Sequence, residues 1–277
     1  MRTRIWLSWT VAALATVQSA SASLLAQAVP SKYNLTVHAA EPVSRDVVVR
    51  NLGEGPVVVK VRLSDWTLDE SGAMRLLDSG STPTTLDGSI EFEPREFSLG
   101  PGENGVIHVV MRLPAAGPAT RWGVLLSEVR PTTWPKAQLG PRAIAELGTT
   151  LYLSRVPAEA TRADLVGLGA NAIGDTALAV AFQVRNPGER HLYSTGDVAL
   201  RDSTGAIVAQ GSVGTGVVLP GARRIFTWTC SNRLAPGRYT VTATLDTGEP
   251  ELIVGETRVR WPMTPMAPLP VAATDGH

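Results

Sequence analysis

Short runs in which apolar and polar residues alternate follow one another along most of the chain, and helical periodicity is almost missing. The run at 57–63 shows the pattern, because its last residues, Val61, Arg62 and Leu63, alternate apolar with basic. One face of such a strand points to a core and the other face points to water. Gly, Pro, Asn and Asp separate the runs, which is typical of an all-β sandwich.

The runs predict seven strands in each half of the chain. In the first half we expect strands at 33–38, 44–50, 57–66, 89–92, 106–113, 122–129 and 143–155. In the second half we expect strands at 164–168, 177–185, 196–201, 207–212, 223–230, 238–246 and 251–260. Seven short strands joined by turns make one immunoglobulin-like unit. The predicted fold class is therefore all-β, with two consecutive immunoglobulin-like β-sandwich domains after a signal peptide.

Turn residues recur at matching places in the two halves. Asn51 and Gly53 follow the second strand of the first half, as Asn186 and Gly188 follow the second strand of the second half. These residue types supply the turn that ends a strand. The match indicates two divergent copies of one sandwich.

The first residues predict export. Arg2 and Arg4 precede an apolar stretch at 5–17, and the A-x-A pattern at 26–28 predicts a signal peptide over 1–28. A second acceptable cleavage pattern stands at 20–22. Because the apolar stretch is shorter than the roughly 20 residues that span a bilayer, we expect it to be removed and no transmembrane span to remain. The expected location is the periplasm, with an extracellular or cell-surface location as the alternative.

The rest of the chain divides into three predicted parts. The first domain covers 29–157, and a short polar connection near 157–161 marks the boundary. The second domain covers 158–262. Residues 263–277 are rich in proline, which predicts a disordered tail.

The charge of the chain points to a protein partner. Lys and Arg number 25, as do Asp and Glu, and loss of Arg2 and Arg4 with the signal peptide would leave a net charge of −2. No run of like charges stands out, so nothing predicts binding to nucleic acid or to an anionic membrane.

Enzyme motifs are missing from the sequence. It contains neither a G-x-S-x-G nucleophile elbow nor an H-E-x-x-H metal motif. The glycine-rich segment 211–216 is not followed by Lys and Ser or Thr, so we interpret it as a loop and not as a phosphate cradle. Glu91 and Glu93 are expected to be two solvated side chains on one strand face. The sequence therefore predicts no enzyme, no cofactor and no metal site.

A few aromatic and polar residues have a structural interpretation and a functional alternative. Cys230 is expected to be a buried small hydrophobic residue, and the alternative is a reactive or intermolecular thiol. Asp65 is interpreted as a polar residue at the end of a strand. Trp66, Trp122 and Trp134 are expected in the core, and the alternative is a stacking platform for a carbohydrate or another ligand.

Residues 29–157 resemble the N-terminal domain of the chaperone–usher pilus chaperones. The strongest element is the P-x-x-F-x-L-x-P-G-E run from Pro94 to Glu103. It lies between the runs at 47–51 and 61–66, which also match the family, and the run at 109–114, which continues the match. The resemblance implies that the last strand of the domain is lent to a subunit that lacks one strand of its own.

In this sequence the corresponding segment is 143–155. The resemblance implies a partner-binding face made of the alternate residues Ala143, Ala145, Leu147, Thr149, Leu151 and Leu153. The same alternation is also what an edge strand half-buried in its own sandwich shows.

The family also holds the carboxylate of the subunit with an Arg on the first strand and a Lys on the last strand. The matching positions here fall near Leu35 and Thr150, and neither is basic. The nearby cations Lys32, Arg142 and Arg155 do not stand at the motif positions.

The resemblance implies a periplasmic, chaperone-like accessory protein for pilus or surface-fibre assembly that binds subunits by β-strand addition. Its expected partners are a strand-deficient, pilin-like subunit and an outer-membrane usher. The alternative is a structural or adhesive cell-surface protein in which the immunoglobulin-like domains are spacers.

Overall fold

A computed structural model describes residues 24–133, 143–157, 161–174 and 176–263. Every regular element within these ranges is a β-strand. Within the same ranges no helix is long and apolar enough to cross a membrane. The predicted all-β fold class is confirmed, and most of the predicted signal peptide (residues 1–23) and most of the proline-rich tail lie outside the described residues.

The first sandwich contains the strands up to Arg155. They are β1 (Ala26–Val29), β2 (Lys32–Val37), β3 (Val43–Asn51), β4 (Val57–Leu68), β5 (Met74–Leu77), β6 (Ile90–Glu93), β7 (Glu96–Leu99), β8 (Asn104–Met111), β9 (Thr120–Pro131) and β10 (Ala145–Arg155). One sheet has the order β1-β3-β8-β6, and the other has the order β2-β10-β9-β4-β5, with β7 also paired to β4. Apolar side chains from both sheets form one core between them.

The second sandwich contains β11 (Asp164–Ile173), β12 (Ala177–Arg185), β13 (Leu192–Arg201), β14 (Ile207–Val218), β15 (Arg223–Cys230), β16 (Gly237–Asp246) and β17 (Ile253–Trp261). Its sheets have the orders β11-β12-β15 and β14-β13-β16-β17. Phe182 and Phe226 stack at the centre of its core, with ring centroids 5.4 Å apart. Cys230 is buried in this core, as the sequence predicted.

Several strand predictions needed correction. The single strand expected at 33–38 is preceded by a second strand, β1, which joins the opposite sheet. The strand expected at 89–92 corresponds to β6, and β7, which follows Pro94 and pairs with β4, was not predicted. Pro94 separates the two strands, because proline has no N–H to give to a ladder. Strand β5 was not predicted, since most of its side chains are exposed and show no alternation.

The interpretation of 211–216 as a loop is wrong. This segment lies within β14 and pairs with β13, with a register shift near Gly196. Its glycines allow close packing across the sandwich, because a Cβ added to Gly211 would overlap the indole of Trp228. The glycines therefore make room for a core side chain and do not mark a turn.

The repeated turn is held by the same buried amide in both sandwiches. The Asn51 side chain donates to the carbonyl oxygens of Gly55 (2.9 Å) and Gly100 (3.0 Å) and accepts from the Gly53 N–H. In the second sandwich the Asn186 side chain donates to the carbonyls of Arg190 and Val218 and accepts from the Gly188 N–H. Both asparagines are fully buried, so each network holds its own turn from within the sandwich.

We expect Asn51→Ala to lower the free energy of unfolding of the first sandwich by about 2–4 kcal/mol, because the change leaves buried carbonyls without a donor. Asn186→Ala should have a similar effect on the second sandwich. Asn34→Ala, at an exposed position of β2, is the matched control and should change little. Urea unfolding measured by tryptophan fluorescence and circular dichroism checks the prediction, and equal effects of Asn34→Ala and Asn51→Ala would contradict it.

Strand β1 bears on the start of the mature protein. Residues Ala26 to Val29 pair with β3, the carbonyl of Leu25 accepts from the Leu52 N–H (2.8 Å), and Leu24 packs against the core. Cleavage after Ala28 would remove most of this strand, whereas cleavage after Ala22 would keep all of it. We therefore expect exported protein to begin at Ser23, and the intact mass of the secreted chain tests this. A mass that corresponds to a start at Val29 would contradict it.

Candidate functional site

Strand β10 is paired along its whole length on one side only. It pairs with β9 from Ala145 to Ser154. On its other side it pairs in parallel with β2, but only from Thr150 onwards. Residues 145–149, called the open edge below, therefore have no strand paired to them on that side among the described residues.

The main chain of the open edge points outwards at alternate residues. The Thr150 N–H donates to the carbonyl of Ser31 (3.0 Å), so it points towards β2. Because main-chain groups alternate along a strand, those of Gly148 and Glu146 point to the same side. At the end of the open edge next to β2, the Thr149 hydroxyl donates to the carbonyl of Pro30 (2.8 Å).

The side chains predicted to bind a partner divide into three groups by burial. Leu151, Leu153 and Thr149 are fully buried in their own sandwich. Ala145 and Leu147 are half-buried and pack against the same core. Ala143 is exposed and precedes the strand. A partner that docks onto the folded protein therefore reaches only Ala143, Ala145 and Leu147 of the predicted face.

The register corrects the position of one cation. Lys32 lies directly beside Thr150 in the β2–β10 ladder, whereas Leu35 lies beside Leu153 and packs on the core. The Lys32 ammonium lies 4.0 Å from the centre of the Tyr193 ring. A cation thus stands next to Thr150, although neither of the two motif positions is basic in the sequence.

The other cations near the matching positions are placed differently. The Arg155 guanidinium donates to the carbonyls of Pro114 (3.1 Å) and Gly117 (3.3 Å), so it holds a loop of its own sandwich. Arg142 lies outside the described residues.

The two sandwiches share a third apolar cluster, called the junction below. The first sandwich contributes Trp66, Trp122, Val124, Leu126 and Tyr152, and the second contributes Leu219 with Tyr193, Val217 and Ala222 packed around it. The Trp122 indole N–H donates to the carbonyl of Trp66 (3.1 Å). Trp66 and Trp122 are buried, as predicted, although they line the junction and not the core of one domain. Trp134 lies outside the described residues.

His191 is enclosed by aromatic rings in the junction. Its ring stacks on Tyr152, with centroids 4.1 Å apart and an interplanar angle of 26°, and it meets Tyr193 edge-on. The side chain is buried, and its Nδ1 has no hydrogen-bond partner among the described residues. Burial, followed by the positive charges of Arg190 and Lys32, lowers the pKa of His191 to about 4. Burial and the neighbouring Tyr193 raise the pKa of Tyr152.

A hairpin of the first sandwich forms a second contact between the sandwiches. The turn between β4 and β5 brings the Glu70 carbonyl to the Ile225 N–H, at 2.6 Å. The Glu70 carboxylate accepts from the Gln183 side chain (3.1 Å). Hydrogen bonds from Ser71 and Ala73 to the Asp69 carboxylate shape this turn and lower the pKa of Asp69. Strand β15 is at the edge of its sheet, so the hairpin covers part of that edge.

Asp65 has a larger role than the sequence predicted. It is buried, and it accepts hydrogen bonds from the Thr82 N–H and hydroxyl and from the Thr85 hydroxyl. It therefore holds the long connection between β5 and β6 against the sheet. No local pattern could have shown this, because its partners lie 17 and 20 residues further along the chain.

The remaining candidate residues are ordinary surface groups. Glu91 and Glu93 are exposed on either side of the buried Phe92, as expected. His108 is exposed, and its Nδ1 lies 2.8 Å from the Asp46 carboxylate. Within the described ranges, no group of three or more His, Cys, Asp or Glu side chains could hold a metal ion.

The buried His191 makes stability depend on pH. Unfolded histidine takes up a proton near pH 6.5, whereas folded His191 resists protonation until about pH 4. The unfolded state thus binds more protons between these values, and stability is lost as the pH falls from 6.5 towards 4. His191→Phe keeps a ring against Tyr152 but has no proton to take up. Between pH 6.5 and 4 its free energy of unfolding should therefore fall by up to about 3 kcal/mol less than that of the wild type.

Urea unfolding at several pH values between 4 and 7.5 measures this difference. His38→Gln, at an exposed position, is the control and should keep the wild-type pH profile. An unchanged profile in His191→Phe would contradict the role given to His191.

No protein-family model matches the sequence, and no curated protein matches it. Several solved structures are similar in chain path. The class 5 fimbriae chaperone CfaA matches 84% of this chain and 98% of its own, at 13% identity with a TM-score of 0.46. The SafB chaperone, solved with the SafA pilin of Salmonella enterica, matches over 87% of this chain and 98% of that chain, at 13% identity with a TM-score of 0.45.

The CsuC–CsuE complex of a chaperone with a tip adhesion subunit, from the archaic chaperone-usher Csu pili of Acinetobacter baumannii, is similar to the same degree. It covers 84% of this chain and 98% of that chain, with 13% identity and a TM-score of 0.45. The structures similar to this chain thus include fimbrial chaperones with their subunits. At these identities and scores they assign no activity, so a function has to be inferred from the contacts of this chain.

Proposed function

We propose that the protein is a periplasmic, chaperone-like accessory protein for pilus or surface-fibre assembly, and that it binds a strand-deficient subunit by β-strand addition at the open edge. The observation that supports this most directly is the one-sided pairing of β10. From Thr150 onwards the strand is enclosed between β9 and β2, while residues 145–149 are paired with β9 alone. An outer-membrane usher is the further partner that such a role requires.

Strand addition needs unpaired main-chain groups and apolar side chains at alternate positions. The main-chain groups of Glu146 and Gly148 satisfy the first requirement. Ala145 and Leu147 are half-buried, so they can turn part of their surface to a partner, and Ile144 just before the strand is 56% exposed. The proposed binding segment is therefore residues 143–149, which is shorter than the face predicted from the sequence.

The position of Lys32 favours binding of a carboxylate at the C-terminal end of this segment. It lies beside Thr150, at the point where the open edge begins. A carboxylate in such a partly enclosed place is costly unless a positive charge compensates it. We propose that Lys32, in place of the Arg and Lys pair of the resembling family, supplies this charge.

The test compares two changes at Glu146. Glu146→Pro removes the outward N–H and places a ring at the open edge, so we expect it to abolish strand addition. Glu146→Ala keeps the N–H and loses only the exposed ion pair with Arg62, so it should bind as wild type does. Each variant is co-expressed with a pilin-type subunit encoded beside the gene, and the 1:1 complex is measured by size-exclusion chromatography.

Thermal unfolding of both variants shows whether they are still folded, so that loss of the complex can be distinguished from loss of the fold. Leu151→Asp is unsuitable for this test, because Leu151 is fully buried in the core of the protein's own sandwich. A complex that survives Glu146→Pro would overturn the proposed binding edge. Failure of the wild-type protein to form any complex with such a subunit would overturn the chaperone-like role.

The alternative function is a structural or adhesive protein of the cell surface with immunoglobulin-like spacer domains. The observation in its favour is the double contact between the sandwiches, at the junction and at the β4–β5 hairpin, since a spacer has to hold its domains in line. Protease accessibility of the protein on intact cells, together with no subunit complex, would support this alternative.

A further inference from the structure

Four arginines stand together on the outer face of the second sandwich. Arg238 on β16 lies directly opposite Arg260 on β17. Arg258 on β17 lies opposite Thr240, which in turn lies opposite Arg201 on β13. Directly opposed residues point to the same face of an antiparallel sheet, so the four exposed side chains share one surface, called the arginine face below.

The arginine face borders a surface cavity of about 630 Å³. Arg238, Arg258 and Arg260 line one side of it, and Asp202, Ser203 and Gly205 from the turn between β13 and β14 line the other. A cavity of this size lies within the range that holds ligands in proteins.

Positive charge predominates on the arginine face, and its arginines form no ion pair within the described part of the chain. There, Arg238, Arg258 and Arg260 make neither an ion pair nor a side-chain hydrogen bond, whereas Arg201 donates to the Gly205 carbonyl (3.1 Å). Glu256 lies on the same face of β17, two residues from Arg258, and its carboxylate accepts a hydrogen bond from the Thr242 hydroxyl (3.2 Å). Asp202, which lines the cavity with the arginines, is engaged in its own turn, where it accepts from the Thr204 N–H and hydroxyl and from the Ala206 N–H. These bonds lower its pKa and direct it away from a pairing role.

The opposed arginines of this face cost the fold stability. Like charges directly opposite each other destabilise a sheet, as at Arg238 and Arg260. Charges on an edge strand do protect it from aggregation, and this could account for the arginines of β17. Arg201 and Arg238, however, lie on the interior strands β13 and β16. Protection of the edge does not explain them. Arg201 holds the Gly205 carbonyl of its own turn, whereas Arg238 has no such bond, and a bound anion would account for its position.

The spacing favours a ligand with several anionic groups. Arg258 and Arg260 are two residues apart on one strand, a distance of about 7 Å, and Arg201 lies two strands from Arg258, a distance of about 10 Å. One phosphate could not reach all four. Carboxylates at alternate positions of an extended peptide are themselves about 7 Å apart, and guanidinium groups bind carboxylates through paired hydrogen bonds.

We propose that the arginine face is a second protein-binding site, which takes an extended acidic segment of a partner protein with Asp or Glu at alternate positions. The site is on the opposite domain from the open edge of β10 and does not depend on strand addition there. It would give the protein a way to engage an acidic partner while the first sandwich is occupied.

The test uses a twelve-residue peptide that alternates Glu with Thr, and the same peptide with Gln in place of Glu. Binding to the full chain is measured by fluorescence anisotropy at low and moderate salt. We expect the Glu peptide to bind, the Gln peptide not to bind, and the affinity to fall as salt rises. Arg238→Gln with Arg260→Gln should weaken binding roughly tenfold or more.

The matched control is Arg75→Gln with Arg112→Gln, which removes the same charge from exposed positions of the first sandwich and should leave binding unchanged. Arg238→Gln with Arg260→Gln should be at least as stable as wild type, because it removes a repulsive pair. Equal loss in both double variants, or no loss in the Arg238 and Arg260 variant, would overturn the proposal. Binding of short polyphosphate or of vesicles with anionic lipid, but not of the Glu peptide, would also overturn it.

Discussion

The side-chain alternation of β10 constrains both the first sandwich and its contact with the second. Leu151 and Leu153 point inwards and close the first core, while Tyr152 between them points outwards into the junction. A shift by one residue would exchange these faces and destroy the core and the junction together. The strand is therefore held in a single register by two apolar clusters. Its open edge is therefore already ordered, and a partner strand can pair with it without an entropy cost for ordering β10 itself.

Much of the fold could be predicted from the sequence, because strands with one buried face carry a period of two. β12 and β16, whose apolar residues alternate with half-exposed ones, were expected almost at their observed bounds. The paired asparagine turns were also recognised, since the same residue types serve the same geometry in both copies. Strand β5 could not be recognised, because pairing alone holds it and its side chains carry no burial pattern.

The candidate site was less predictable, because it depends on register and on contacts between distant segments. The alternation in 143–155 indicated an edge strand but not which half of it would be covered by β2, a segment more than 100 residues away. Lys32 could be placed beside Thr150 only when this parallel ladder was known. Likewise, Arg201, Arg238 and Arg258 are unremarkable in sequence and become a group only when three strands align.

The contact between Lys32 and the Tyr193 ring joins a first-sandwich cation to a second-sandwich aromatic ring. A group that draws Lys32 away from this ring forfeits an attraction that is worth about 0.5–1 kcal/mol at a partly exposed place. The two interactions are thermodynamically linked, and linkage acts equally in both directions. A carboxylate that binds Lys32 in this way would therefore weaken the contact between the sandwiches. The loss of free energy equals that by which the Tyr193 ring weakens binding of the carboxylate. Binding of such a group at the proposed edge and the contact between the sandwiches would then be negatively coupled.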